Sequence, residues 1–315
     1  MLIDEEISPF KSSKPHTVSI GVFDGVHKGH KYFLSKLLSE SIKSKTISTV
    51  ITFKNHPLSL LNPNIPIENI IPLDDRIQMI KNLGIKSIIP VSFNQSLSQL
   101  TGKEFIDKIK STIKISSLFI GPDFSIGKNR ETNTSNIKLL SDELGFSIFE
   151  IPKLKENSLI IRSTSIRSLI AKGKVATASK ILGYPFFIKG VVVKGLGRGK
   201  KLGFPTANIK IPHNLILPIN GIYATYVNIN NQKYIGATSI GNNPTFKETN
   251  KTIETFIIGL EDDIYNKNIS LEFIHHIRDE IKFHSAQELS IQMSNDVKKI
   301  INLLKTNLFN GKETC

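Results

Sequence analysis

Between Thr17 and Ile151 two kinds of segment alternate, and beyond Gly183-Tyr184-Pro185 only one of them continues. The first kind is short and rich in β-branched and aromatic residues, and it reads as buried strand over 17–23, 46–53, 85–91, 115–121 and 146–151. The second carries apolar residues at helical spacing, such as Phe33, Leu34, Leu37, Leu38 and Ile42 within 29–44. Further helices are predicted over 74–83, closed by Gly84, and over 136–144, stopped by Gly145. Another over 101–113 opens with the capping-box pattern Thr101-Gly-Lys-Glu104. Strands separated by helices predict a parallel sheet with right-handed crossovers. That is a doubly wound, Rossmann-like α/β domain, with ligands at the carboxyl ends of its strands. After Gly183 the strand-like runs 186–193, 222–229, 233–240, 252–258 and 269–273 follow one another without helices. They predict a small antiparallel β-barrel. Leu289, Met293, Val297, Ile300, Ile301 and Leu304 then mark a C-terminal helix over 285–308. Two domains are expected, 1–183 and 184–315.

Composition narrows the class. The single cysteine, Cys315, excludes disulfide frameworks, thiolate-bound zinc and a thiol nucleophile, and it suits a reducing cytoplasm. No apolar run approaches the ~20 residues of a membrane span. The acidic start Met-Leu-Ile-Asp-Glu-Glu is unlike a signal peptide. The net charge of +14 suggests anionic partners. However, it comes from 35 scattered lysines against 6 arginines, in a chain also rich in Ile and Asn. Codon bias explains that better than a nucleic-acid face, so the expected partners are small anions such as nucleotides, with no nucleic acid and no membrane. No oligomeric state is selected.

Two segments carry chemistry. Gly21-Val-Phe23-Asp24-Gly25-Val-His27-Lys-Gly29-His30 lies at the turn from the first strand into the first helix. Backbone N–H groups and the helix dipole favour an anion there. Two histidines flanking a glycine can both donate to it, and imidazole donors stabilise charge developing at a phosphate. In the second domain, Gly195-Leu-Gly197-Arg-Gly199-Lys-Lys-Leu-Gly203-Phe-Pro205-Thr206-Ala-Asn208 offers closely spaced glycines whose N–H groups can wrap phosphates. It is neither a Walker A loop nor a dinucleotide fingerprint. Thr206 and Asn208, two apart on an extended segment, project to the same side and offer oxygens to a hard cation such as Mg²⁺. As a bare loop it reads equally as a barrel turn. Elsewhere, Asp123 reads as a helix cap or a ligand contact, His56-Pro57 as a turn, and Arg167 as a surface charge or a phosphate fork.

The first of these segments resembles the signature of nucleotidyltransferases whose His-x-Gly-His motif binds ATP phosphates. The whole chain resembles the prokaryotic bifunctional riboflavin kinase/FAD synthetases. Thr52-Phe53-Lys-Asn-His56-Pro57, Gly121-Pro-Asp123-Phe124-Ser-Ile-Gly-Lys-Asn-Arg130 and Ser163-Thr164-Ser-Ile-Arg167 match that family's segments in order. So do Gly-Phe-Pro-Thr-Ala-Asn208, Ser239-Ile-Gly-Asn-Asn-Pro244-Thr245-Phe246, Thr252-Ile-Glu254-Thr-Phe256 and Ile277-Arg278. The resemblance implies that His27 and His30 act on the ATP α-phosphate. It implies that Gly21, Phe23, Asp24, Gly25, Gly29, Ser163, Thr164 and Arg167 bind ATP in the first domain. Gly195, Gly197, Gly203 and Pro205 would bind ATP in the second. Phe53, His56, Pro57, Asp123, Phe124 and Arg130 would contact flavin in the first domain and Arg278 in the second. Thr206 and Asn208 would hold Mg²⁺, and Glu254 would be the general base.

The implied function is phosphorylation of riboflavin to FMN by the barrel and adenylylation of FMN to FAD by the α/β domain. ATP, riboflavin and FMN are then substrates, and flavin is not a redox cofactor. The chain departs from the family's usual residues at Val22, Ser125 and Arg162 near the adenylyltransferase motifs, and at Gly259 and Asn266 in the barrel. One alternative is therefore a riboflavin kinase with a weakened adenylyltransferase domain. Others are an adenylyltransferase for a different substrate, which the barrel argues against, and a basic nucleic-acid-binding protein, for which no recognition motif is present.

Overall fold

The computed structural model describes residues 3–310 apart from 63, 65–66, 157–158, 196, 198, 200–201, 213 and 243–250. Arg198, and the 243–246 part of the Ser239–Phe246 motif, lie outside the described residues. The chain divides into two compact units, Met1–Ser163 and Thr164–Cys315. The change of sequence pattern at Gly183 therefore falls later than the division by contacts.

The first unit opens with helix α1 (Ile3–Ile7), then β1 (Ser12–Ile20), α2 (Lys28–Lys43), β2 (Ile47–Phe53), α3 (Pro57–Leu61), α4 (Leu73–Asn82) and β3 (Ser87–Val91). After α5 (Gln95–Ser98) and α6 (Gly102–Lys110) come β4 (Ile113–Ile120), the short β5 (Ser125–Ile126) and β6 (Thr132–Asn133), α7 (Thr134–Leu144) and β7 (Ser147–Glu150). A small antiparallel hairpin, β8 (Lys155–Glu156) and β9 (Leu159–Ile160), closes the unit. The five long strands are parallel in the order β3-β2-β1-β4-β7, the architecture expected from the alternation. The chain runs outward from β1 through β2 and β3, then returns to the other side with β4 and β7. This reversal puts a crevice beyond the carboxyl ends of β1 and β4, where an open α/β sheet takes its ligand. The predicted caps form: Thr101 and Glu104 make the full capping box, and Gly145 ends α7 at φ 72°.

One face of this sheet is aliphatic, with Val18, Ile51, Ile89 and Leu118 buried in a single cluster. The central strands also bury hydroxyls that satisfy one another. Ser117 Oγ donates to Thr17 Oγ1 at 3.0 Å, and Thr17 and Thr46 share a 2.6 Å hydrogen bond. Beside them, His16 is buried with Nδ1 2.7 Å from Thr49 Oγ1. That hydroxyl donates onward to Ile47 O, so the ring proton sits on Nδ1 and Nε2 has no partner among the described residues.

From Thr164 on, the second unit takes in the rest of α8 (Ser163–Ala171) and α9 (Val175–Leu182), the latter ended by Gly183 at φ 76° and packed on two barrel strands. The strands are β10 (Phe186–Val193), β11 (Thr206–Lys210), β12 (Gly221–Ile229), β13 (Gln232–Asn242), β14 (Lys251–Ile257) and β15 (Asn268–Arg278). They close an antiparallel barrel in the order β10-β11-β14-β13-β12-β15. Five of the six match the predicted runs; the segment of Thr206 and Asn208, expected only to be extended, is the sixth. Inside, Phe186, Tyr223 and Phe273 pack round a hydroxyl chain, Thr225 to Thr238 at 2.7 Å and Thr238 to Thr255 at 2.9 Å. Outside, the terminal helix α10 (Ala286–Asn310) lays Ile300 and Leu304 over Ala224 and Tyr226. Among the described residues no helix is long and apolar enough to cross a membrane.

Burial holds the His16 imidazole below its ordinary pKa, because a proton on Nε2 would be an unpaired charge in the interior. The folded state thus binds fewer protons than the unfolded one below neutrality. The resulting stability is full above the ordinary imidazole pKa of 6.5 and declines as pH falls beneath it. The urea midpoint of the first unit should drop between pH 7.5 and 5.5, and the drop should be smaller in His16→Gln.

Candidate active sites

The first site grows from the turn between β1 and α2. Phe23 and Val26 stand at positive φ (51° and 33°), which side chains rarely adopt, so surrounding bonds must hold this turn in place. Those bonds are specific. Asp24, 2% exposed, accepts from the Ile70 N–H at 3.0 Å and the Ile71 N–H at 3.4 Å. Thr52 Oγ1 donates to Val22 O at 3.1 Å, and Ser163 Oγ donates to Asp24 O at 3.0 Å. Arg76, 3% exposed, donates from Nη1 to Val22 O at 2.8 Å and from Nη2 to Phe53 O at 2.7 Å. It ties the turn to the carboxyl end of β2.

His27 caps α2, its Nδ1 accepting from the His30 N–H at 3.2 Å. That bond puts the neutral ring's proton on Nε2, which becomes a donor. The two imidazoles stack with centroids 3.6 Å apart and planes within 16°, and Phe23 meets His30 edge-on at 5.2 Å. A Cβ at Gly29 would lie 3.2 Å from the His27 ring, so glycine is what lets the imidazole fold back over the helix end. The turn therefore presents two imidazoles at a helix N-terminus, an arrangement suited to an anion.

Next to this turn is a cavity of about 350 Å³. Gly21, Phe53, Pro57, Asp123, Phe124 and Arg130, scattered in sequence, all line it. Its aromatic and aliphatic walls with a few polar groups fit a flat heteroaromatic ligand. Arg130 Nε donates to Ser125 Oγ at 2.6 Å, and the carboxylate of Asp123 pairs with Lys153. His56 instead caps α3, accepting from the Leu58 N–H at 3.2 Å. Thr164 and Arg167 lie on α8, packed with the second unit.

The second site lies on the outside of the barrel. Strand register lines up Asn208, Glu254, Ser239, Ile222 and Arg278 in one row across β11, β14, β13, β12 and β15. Thr206 Oγ1 donates to Glu254 Oε2 at 3.0 Å, so Thr206, Asn208 and Glu254 offer three hard oxygen donors on one face. Gly195 sits against the Asn208 amide, where a Cβ would collide, and Gly197 and Gly203 take positive φ (65° and 83°). The N–H groups of Leu202 and Phe204 both bond to Gly199 O, closing the loop upon itself. A cavity of about 220 Å³ is walled by Thr206, Glu254 and Phe256 on the barrel and by Leu289, Met293 and Val297 on α10. Arg278 lines it too, held by Asp296 of α10 through Nη2 at 2.7 Å and Nε at 3.0 Å. Among the described residues no three His, Cys, Asp or Glu side chains cluster as a metal site. A cation here would thus rest on neutral oxygens, a carboxylate and ligand phosphates.

Sequence reasoning does not single out Arg76, Asp296 or Lys153. Arginine is scarce in this chain, and a rare arginine among many lysines is the one signal that could point to Arg76.

A doubly wound unit with a histidine-bearing phosphate turn, joined to a barrel with a glycine loop and a strand-borne glutamate, defines a two-site nucleotide-using enzyme. The family model for FAD synthetase matches residues 10–165, and that for riboflavin kinase matches residues 182–304. A bifunctional riboflavin kinase/FMN adenylyltransferase from Buchnera aphidicola (subsp. Schizaphis graminum) is 35% identical, over 93% of this chain and 96% of the relative. The corresponding Bacillus subtilis protein is 34% identical, over 90% and 91%. A crystal structure described as a macrolide-efflux protein from Streptococcus pneumoniae superposes with TM-score 0.85 at 28% identity, covering 94% of this chain and 97% of that one. The chain belongs to the bifunctional riboflavin kinase/FMN adenylyltransferase family.

Replacing Arg76 by the similarly long methionine would take one donor from each of the Val22 and Phe53 carbonyls, leaving Val22 O only the hydroxyl of Thr52. Arg76→Met should cost about 2–4 kcal/mol, read as a lower urea midpoint for the first unit with the barrel transition unmoved.

Proposed function

We propose that the barrel phosphorylates riboflavin with ATP to give FMN and ADP, and that the α/β unit adenylylates FMN with a second ATP to give FAD and pyrophosphate. The observation that carries the reading is the convergence of Thr206, Asn208 and Glu254 on one barrel face beside a cavity, in a chain that also bears the stacked His27–His30 pair. Residues 1–183 serve adenylyl transfer and 184–315 serve the kinase. Thr164 and Arg167 belong functionally to the first although they pack with the second unit.

In the kinase site Glu254 accepts the proton of the attacking ribityl hydroxyl as it reaches the γ-phosphate. Gly195, Gly197, Gly203 and Pro205 shape the loop round the phosphates. Thr206 and Asn208 would hold Mg²⁺, whose chemistry when bound is to neutralise phosphate charge, and their hard oxygens fit it. Arg278, fixed by Asp296, closes the flavin end of the cavity.

In the adenylyltransferase site Phe53, Pro57, Phe124 and Arg130 enclose the isoalloxazine, and His56 keeps α3 at its edge. The FMN phosphate attacks the ATP α-phosphorus, and the bond to pyrophosphate breaks. His27 Nε2 and His30, with the α2 N-terminus, stabilise the charge that builds on the α-phosphate oxygens. Gly21, Gly25 and Gly29 give the phosphates close access to backbone N–H groups. Phe23 orients His30, and Asp24 holds the turn rather than the ligand. Ser163, Thr164 and Arg167 hold the leaving phosphates. The enzyme is cytoplasmic and works on small molecules, without a nucleic-acid or membrane partner.

Two substitutions separate the sites. His30→Ala should lower FAD formation from FMN by on the order of 10²–10³, with FMN formation within a few-fold of the parent. Loss of both in a folded variant would refute separate sites. Glu254→Gln keeps the hydrogen bond from Thr206 and removes the proton acceptor. Riboflavin phosphorylation, followed as ADP release, should fall by roughly 10²–10⁴ while pyrophosphate release from supplied FMN persists. A near-parent kinase rate would return Glu254 to a plain strand carboxylate.

A further inference from the structure

The β8/β9 hairpin brings together two cations that the roles above do not use. Lys155 pairs with Ile160 and Glu156 with Leu159, and the Ile161 N–H bonds to Leu154 O at 3.3 Å. Continued by one rung, that register sets Lys153 directly opposite Arg162. Like charges directly opposite on an antiparallel pair repel and destabilise it. Lys153 is partly relieved by its ion pair with Asp123. Arg162 is exposed and has no hydrogen-bond or ion-pair partner among the described residues. Burial, and then the charge of Arg162, hold the Lys153 ammonium below its ordinary pKa. The arrangement is short of one anion.

Its position says which anion. On one side of Arg162, Ile161 lies against Gly29 and Ser163 bonds to Asp24 O, so the hairpin's end abuts the histidine turn. On the other side, Asp123 lines the 350 Å³ cavity with Phe53 and Phe124. A group held between Lys153 and Arg162 therefore stands between the flavin cavity and the site of phosphate chemistry.

We propose that Lys153 and Arg162 form a subsite for the phosphate monoester of the flavin substrate, which displaces Asp123 from Lys153 and holds the attacking oxygen towards the histidine turn. The subsite deepens the adenylyltransferase reading of this unit and rests on it. It would also favour FMN over riboflavin in that cavity, because a flavin without the phosphate leaves the two cations facing each other. The triphosphate of ATP has the same chemistry, but the Asp123 side of the pair opens on the flavin cavity.

The test is steady-state adenylylation by the full chain, with FMN and ATP varied separately. Arg162→Gln and Lys153→Gln should each raise KM for FMN about tenfold, the loss of one charge-assisted phosphate contact at a partly solvated site. KM for ATP should stay within about twofold on the same estimate. Arg162→Lys, which keeps the charge, should recover most of the affinity for FMN. Riboflavin phosphorylation by the same preparations should be unchanged, and a thermal melt checks folding. An unchanged KM for FMN in both Gln variants, with the parent active, overturns the subsite alone. A raised KM for ATP in its place assigns the pair to the triphosphate and overturns it as well. A parent chain that releases no pyrophosphate from FMN and ATP overturns the adenylyltransferase reading beneath it.

Discussion

One buried guanidinium joins the parts of the first site that chemistry needs close together. Arg76 sends one N–H to the carbonyl of Val22 in the phosphate turn and another to the carbonyl of Phe53 at the end of β2. Parallel strands end side by side, and their last carbonyls have no further ladder partner, so something must satisfy them. A planar guanidinium holds several donors in fixed, spread directions, so one side chain can serve two carbonyls at set positions. With Val22 and Phe53 tied, the histidine turn and the flavin-side cavity keep one spacing. The strained φ values of Phe23 and Val26 persist because Arg76, Asp24, Thr52 and Ser163 all hold the same few residues.

The two sites solve one physical problem by different geometry. Each must hold polyphosphate and stabilise charge as a bond to phosphorus forms. In the α/β unit the proposed donors are a helix end and two imidazoles stacked over a glycine. On the barrel the candidate groups come from neighbouring strands, where lateral register sets the polar Asn208 and Ser239 on either side of Glu254, the proposed base. Since successive strand residues alternate faces, Glu254 looks outward to the cavity while Thr255 joins the hydroxyl chain inside. The terminal helix then supplies the outer wall. The bidentate pair between Arg278 and Asp296, drawn from β15 and α10, sets where that wall stands.

Much of this is legible in the residues alone. Helical and strand periodicities, the Thr101–Glu104 box and the glycine stops at 145 and 183 depend on neighbours a few positions apart. So the parallel sheet, the barrel, the terminal helix and the His27–His30 turn all follow from local pattern. Glu254 stands out only through its segment's resemblance to a family, because a single carboxylate on a strand has no local signature. The same resemblance assigns His56 to flavin, and the structure adds that its Nδ1 caps a helix. It assigns Asp24 to phosphate, yet that carboxylate is buried on two amides from residues 70 and 71. In both, side-chain direction is decided by contacts that sequence spacing does not contain.

What the sequence by itself determined is therefore the order and kind of elements and the turns that can receive phosphate, since these follow from short-range backbone preferences and side-chain period. The tertiary structure alone decided which distant groups meet: Arg76 with Val22 and Phe53, Asp296 with Arg278, Lys153 with Asp123. Those meetings depend on strand order and register, which are settled by the packing of the whole sheet or barrel. A charge 54 residues from its carbonyl partner carries no mark of that partner until the chain between them has folded.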